Sequence, residues 1–348
     1  MRRSLLLLSM LGVLPALARA QEGPAGQGAR APALPPASPE ARQMLDSAIA
    51  LTRTYALWRD AVAWDDLVPR LQQRIAGART LEEVYPALGM LTRSLGDRHS
   101  HVRVPPPGAR RAGDKGDESS APAARATFRE PPMTTLWLPT QRVGYVRIPA
   151  HDGSDVPTSR AMATEVRAEL GRQHARGACG YVVDVRDNTG GNMWPMLAAL
   201  RPLLGEGPLG AFRAPQENEP WGARAAWDAT DRYAAGTPPW ADLTAGPVAV
   251  LTNGHTASSG EAVVAAFRGR PATRTFGTAT AGLSTVNNGY PLPGGAMLLL
   301  TTAVIADRTG HAYGGPIDPD AVVAEEAGRD APMEAAVRWL RALPECTR

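Results

Sequence analysis

The chain has 348 residues, 44% of them hydrophobic, enough to bury a real core and to hold one main domain with a smaller companion. Its 37 Lys and Arg exceed 34 Asp and Glu only through Arg2, Arg3 and Arg19 of an apolar leader; without them the count is 34 against 34, so nothing advertises a nucleic-acid partner. Two cysteines, Cys179 and Cys346, supply neither a metal cluster nor a disulfide-dense scaffold.

Residues 1–20, MRRSLLLLSMLGVLPALARA, have a basic start, an apolar run and an Ala-Arg-Ala ending, which predicts a signal peptide cleaved near Ala20, no lasting membrane span, and a periplasmic or extracellular product. Residues 21–37 are rich in Gly, Ala and Pro and read as a disordered lead. Residues 38–97 read as an N-terminal helical subdomain: a helix opened by Ser38 and Pro39 toward Trp58, a second over Trp64–Ile75, a third from Thr80 to Leu95. Residues 98–330 form the core. Within it, residues 105–132 read as a surface loop and residues 205–244 as a lid-like insertion interrupted by Gly and Pro.

Short strands are expected at Thr134–Leu138 and Val143–Ile148, then a helix over Ser159–His174. Gly180–Arg186 is an apolar run of the kind buried on both sheet faces, and Asp187–Gly191 turns it into a helix over Asn192–Leu204. Val248–Leu251 is another buried strand, ended by Asn253-Gly254 and followed by helical spacing from Ser258 to Phe267. A strand at Thr273–Phe276, a polar turn-rich loop over Thr278–Asn288, a hairpin within Leu292–Ala306 and a last helix over Pro332–Leu343, within a terminal segment 331–348, complete the chain. The alternation of strand and helix predicts an α/β fold with a helix-covered, largely parallel sheet. Outside the cell Cys179 and Cys346 could pair, although Cys179, ahead of an apolar strand, fits equally well as a small buried residue.

Ser258 opens a helix after a tight turn. A serine there is an ordinary N-cap, but the same position exposes a hydroxyl at the carboxyl end of a sheet, beside free N–H groups and the positive end of a helix dipole. A nucleophilic serine needs a base. Lys115 is the sole lysine and lies in the 105–132 loop, so a serine–lysine dyad is nearly excluded and six histidines remain as candidate bases. His174, His151 and His311 read as surface residues; His255, three residues before Ser258, reads as a turn residue that could line the site. His99 and His101 stand where the helical subdomain meets an extended segment, and alternation points both the same way, so spacing does not choose between them. Gly190-Gly191 is either a plain turn or a place where a backbone N–H approaches a reacting carbonyl. With no Walker lysine, phosphate binding is not expected.

Several stretches, in order, resemble the carboxyl-terminal processing, or tail-specific, serine peptidases, a family that includes the tricorn core and the nisin-resistance protein. Leu95–His99 is similar to the segment bearing the base in its Ser-His branch, Asp184–Asn192 to its D-L-R-x-N-x-G-G signature, and Thr256-Ala257-Ser258-Ser259-Gly260-Glu261 to its nucleophile motif, whose register selects Ser258 over Ser259. Gly277–Gly282 and Gly315–Asp320 match weaker landmarks. Leu283 stands where other members carry a lysine, and the 105–132 interval is too short for their PDZ domain. Both departures suit the PDZ-lacking, nisin-resistance-like branch.

The resemblance implies a ClpP/crotonase-like fold and a secreted serine peptidase. In it His99 activates Ser258, and the backbone N–H groups of Gly191 and Ser259 form the oxyanion hole. Glu261 holds the nucleophile turn, Asp184 and Arg186 brace the strand end, and Gly190 lets the backbone approach. The substrate would be a peptide or an unfolded protein C-terminus, with no cofactor and no metal. Asp97 and Ser100 are candidates to orient His99. The alternatives are a non-catalytic peptide- or lipid-binding module on the same fold and a hydrolase of small esters or amides.

Overall fold

Ser38 accepts a hydrogen bond from the Ala41 N–H at 3.2 Å and Pro39 fills the first helical position, so helix α1 (Pro39–Tyr55) starts where the sequence signals it. In the computed structural model, which describes residues 35–105, 133–215, 217–221, 233 and 241–347, α2 (Trp64–Arg74), α3 (Tyr85–Arg93) and a short strand β1 (His101–Arg103) come next. The leader, most of the lead segment, the loop with Lys115 and most of residues 222–240 lie outside the described residues.

The chain continues through β2 (Thr134–Leu138), β3 (Val143–Arg147), α4 (Val156–Ala175), β4 (Gly180–Asp184) and α5 (Met193–Leu204). Then come β5 (Gly210–Ala214), β6 (Glu217–Trp221), β7 (Val248–Thr252), α6 (Ser259–Phe267) and β8 (Thr273–Gly277). Strands β9 (Thr285–Pro291), β10 (Met297–Asp307) and β11 (Ala321–Val322) precede helix α7 (Ala331–Arg341).

One sheet has the order β11-β8-β7-β4-β3-β2, parallel except for the β2–β3 pair. Its strands alternate between two buried faces. Val146, Tyr181, Val183, Val248 and Val250 pack in the cluster with α4, α5 and α6, while Val143, Tyr145, Val182, Ala249 and Leu251 pack with Ala336 and Leu340 of α7. The continuous apolar runs of β4 and β7 follow from burial on both sides. Cys179 and Cys346 form a disulfide that ties the tail after α7 to the residue before β4.

The ClpP/crotonase-like arrangement expected from the sequence does not describe this chain, because a second, antiparallel sheet stands beside the first. It runs β1-β10-β5-β6, with β9 on the other side of β10. Two segments read as irregular supply it. Gly210–Ala214 and Glu217–Trp221, inside the expected insertion, pair antiparallel as β5 and β6, and Thr285–Pro291, overlapping the expected polar loop, pairs along β10. Leu298 and Leu300 of β10 bury against α1, α2 and α3, so this sheet carries the helical subdomain.

The parallel registers put Asp184, Thr252 and Gly277 at the same carboxyl edge. The turns that leave them converge there, where open α/β sheets place their sites.

Candidate active site

The turn after β7 is fixed by its own residues. The Thr256 hydroxyl donates to the Val185 carbonyl at 2.9 Å and accepts the Asn253 N–H at 3.1 Å, and the Ala257 N–H donates to the Asn188 carbonyl at 2.8 Å. The chain then enters α6 through Ser258, half-buried, at φ 52° and ψ −115°, a conformation costly for a residue with a Cβ. The Glu261 carboxylate, fully buried one turn along, accepts the Ser258 N–H at 2.8 Å. It also accepts the Thr280 hydroxyl at 2.5 Å and the N–H groups of Gly282 and Leu283 at 3.0 and 2.8 Å. Burial pushes the Glu261 carboxyl above its ordinary value, against these four donors, which favour the charged form.

The turn after β4 meets the first one at Asn188, which is fully buried. Its amide donates to the Ile148 and Pro149 carbonyls at 3.1 and 3.2 Å, and its side-chain oxygen accepts the Gly190 N–H at 2.9 Å. Gly190 and Gly191 have φ of 110° and 116°, and neither has room for a side chain: a Cβ at Gly190 would lie 2.8 Å from the Ser258 Cβ, one at Gly191 2.2 Å from the His151 carbonyl oxygen. His151 bridges this turn by donating its N–H to Gly190 and accepting from Asn192, which leaves the Gly191 N–H out of the bridge. The Ser259 hydroxyl donates to the Gly191 carbonyl at 2.7 Å, joining the first turn of α6 to the glycine pair.

His99 follows the helical subdomain. Asp97 accepts its backbone N–H at 2.8 Å, and Asn287 donates to its carbonyl at 2.7 Å. The ring is held elsewhere, its Nδ1 lying 2.6 Å from the Thr285 hydroxyl. Burial lowers the His99 pKa from 6.5 to about 4, with His101 repelling a charge and Asp97 opposing both, so the imidazole is neutral at neutral pH. The neighbouring Arg98 guanidinium donates to the Ala281 carbonyl at 2.6 Å, docking this segment on the loop that Glu261 gathers.

Thus Ser258, Ser259, Gly190, Gly191 and Glu261 form one cluster, and His99 is linked to it through Arg98 and Thr285. His101 is exposed, its Nδ1 2.8 Å from the His99 carbonyl oxygen, and His255 is an exposed partner of Asp187 at 3.1 Å. Asp184 and Arg186 pair with each other, and Arg186 reaches on to Asp330 at the start of α7. His151, expected at the surface, is half-buried, its Nε2 2.6 Å from the hydroxyl of buried Ser159. Asn188 stands inside the D-L-R-x-N-x-G-G stretch and was legible as part of it. Thr285 and Asn287 carry no local signal; strand pairing across β10 brings them to His99.

A sequence profile of peptidase family S41 matches residues 142–323. The nisin-resistance protein of Lactococcus lactis subsp. lactis is 26% identical over 266 residues, covering 76% of this chain and 77% of that protein. Among solved structures, a lipoprotein from Streptococcus agalactiae superposes with a TM-score of 0.67 at 22% identity, covering 88% of this chain and 97% of its own. The photosystem II D1 C-terminal processing protease gives 0.58 at 16%, covering 89% and 99%. These likenesses give the fold, the two-sheet α/β arrangement of such proteases in place of a ClpP/crotonase-like one. The protein is a serine-type peptidase. It belongs to peptidase family S41, and within that family it is related to the nisin-resistance protein.

Proposed function

We propose that the chain is an exported peptidase that cleaves peptide bonds near the C-terminus of peptides or unfolded proteins, using Ser258 as nucleophile and His99 as general base. The observation that carries this reading is the Ser258 turn, held at positive φ by Glu261 against Gly190, with a neutral imidazole tethered to the same loop system.

Ser258 Oγ bonds to the peptide carbonyl carbon while its proton passes to His99 Nε2. The Gly191 and Ser259 N–H groups hold the resulting oxyanion, the first free of the His151 bridge and the second in the opening turn of α6. Collapse breaks the C–N bond as His99 returns the proton to the departing amine. Water then gives a proton to His99 as it attacks the acyl ester, and the proton returns to Ser258. The steps need no metal, and the peptide is the only organic reactant. Export is supported by the leader ending near Ala20, by the Cys179–Cys346 disulfide and by likeness to a lipoprotein. Among the described residues no helix is long and apolar enough to cross a membrane.

Fluorophosphonate labelling with peptide mapping tests the assignment. Label at Ser258, lost in Ser258→Ala and reduced on the order of 10³-fold or more in His99→Ala, is expected. Undiminished labelling in either variant sinks the dyad.

A further inference from the structure

We propose that Thr285 is the positioning residue that orients the His99 ring, presenting Nε2 to the nucleophile; the inference rests on the Ser258–His99 reading. Four groups reach His99, and they divide by what they hold; exposed His101, like Asn287, meets only the backbone carbonyl. Asp97 takes the backbone N–H and also engages the Ser100 N–H and hydroxyl. Asn287 takes the backbone carbonyl. The Thr285 hydroxyl, 2.6 Å from Nδ1, is the contact that fixes ring rotation.

Thr285 is built to hold still. It is buried at 6% exposure, it sits in β9 opposite Val304, and its β-branched side chain has few rotamers. Its N–H donates to the Leu283 carbonyl at 2.7 Å, and the Leu283 N–H donates to Glu261, which also holds the Ser258 N–H. One carboxylate therefore sets both the turn that carries the nucleophile and the strand start that aims the base. With Nδ1–H donating to the Thr285 oxygen, the lone pair lies on Nε2, the tautomer a general base requires. A hydroxyl also brings no negative charge to the imidazole, in keeping with the low basicity of His99.

The test compares Thr285→Val, which keeps the shape and removes the hydroxyl, with Thr285→Ser, which keeps the hydroxyl. Fluorophosphonate inactivation is resolved into its maximal rate and its half-saturating concentration, with melting temperatures alongside. The expected result is a roughly 10- to 100-fold lower maximal rate for Thr285→Val, an unchanged half-saturating concentration, and Thr285→Ser within about three-fold of wild type. Wild-type rates in Thr285→Val, with labelling still dependent on Ser258 and His99, overturn the positioning role and leave the dyad standing. Equal losses in both variants with lowered melting temperatures also overturn it, as an effect of packing. Wild-type labelling independent of Ser258 or His99 overturns the dyad and this inference together.

Discussion

Acid titration tests the proposed role of His99 as the base. Burial lowers its pKa from 6.5 to about 4, a difference worth about 3 kcal/mol between the two protonation states. In the unfolded chain the imidazole takes up a proton as the pH falls through 6.5, whereas in the folded chain it stays neutral down to about 4. The stability associated with the neutral ring is thus complete above pH 6.5 and is lost as the pH falls to about 4. The ring is half-buried, so solvent screening reduces the loss to about 1–3 kcal/mol. Urea unfolding of wild type and His99→Gln at pH 7.5 and pH 4.5 measures it, and wild type is expected to lose more stability between those two conditions by that margin. The fluorophosphonate labelling rate of wild type should stay level through pH 6.5 and fall with a midpoint near the folded-state value of about 4. A midpoint at or above 6.5, with equal pH dependence of stability in the two proteins, would refute the buried neutral base.

Three further perturbations probe the cluster. Glu261→Gln, which removes the charge shared by the Ser258, Gly282 and Leu283 N–H groups, is expected to cost about 2–4 kcal/mol and to slow labelling at Ser258; an unchanged urea midpoint would contradict the bracing role. Gly191→Ala sets a Cβ 2.2 Å from the His151 carbonyl oxygen at a φ that L residues avoid, so labelling should drop by at least about 10²-fold, and near-normal labelling would rule out the Gly191 N–H as an oxyanion donor. Ser258→Ala keeps a Cβ at φ 52° whereas Ser258→Gly relieves it, so the glycine variant, equally inactive, should be more stable by about 1 kcal/mol and melt at a higher temperature; coincident melting curves would mean the turn stores no strain.

What could be read from the sequence was what a run of neighbours specifies. The apolar runs at Val182-Val183 and Val248–Leu251, the turn residues after them, and the Thr256–Glu261 register located the parallel sheet edge, the serine and its supporting glutamate, because strand, turn and helix cap are local. Glycines 190 and 191 were legible as a place without side chains; that the space belongs to Ser258 and His151 emerged from the fold.

Of the second sheet only a piece was legible, the hairpin expected within Leu292–Ala306, whose Pro293–Gly295 turn leads into β10. Its strand β9, TVNNGYP, is a half-exposed polar edge without apolar alternation, and it exists because β10 offers a long antiparallel partner. For the same reason spacing left His99 and His101 equal. Asp97 and Ser100, adjacent in sequence, engage the backbone and each other, whereas the ring partner Thr285 lies 186 residues away. Sequence alone determined which residues could do the chemistry. Tertiary structure decided which of them meet, since the hydrogen bonds that hold the His99 ring and the Ser258 turn close between loops converging on one end of a sheet, and their geometry exists only once distant strands have paired.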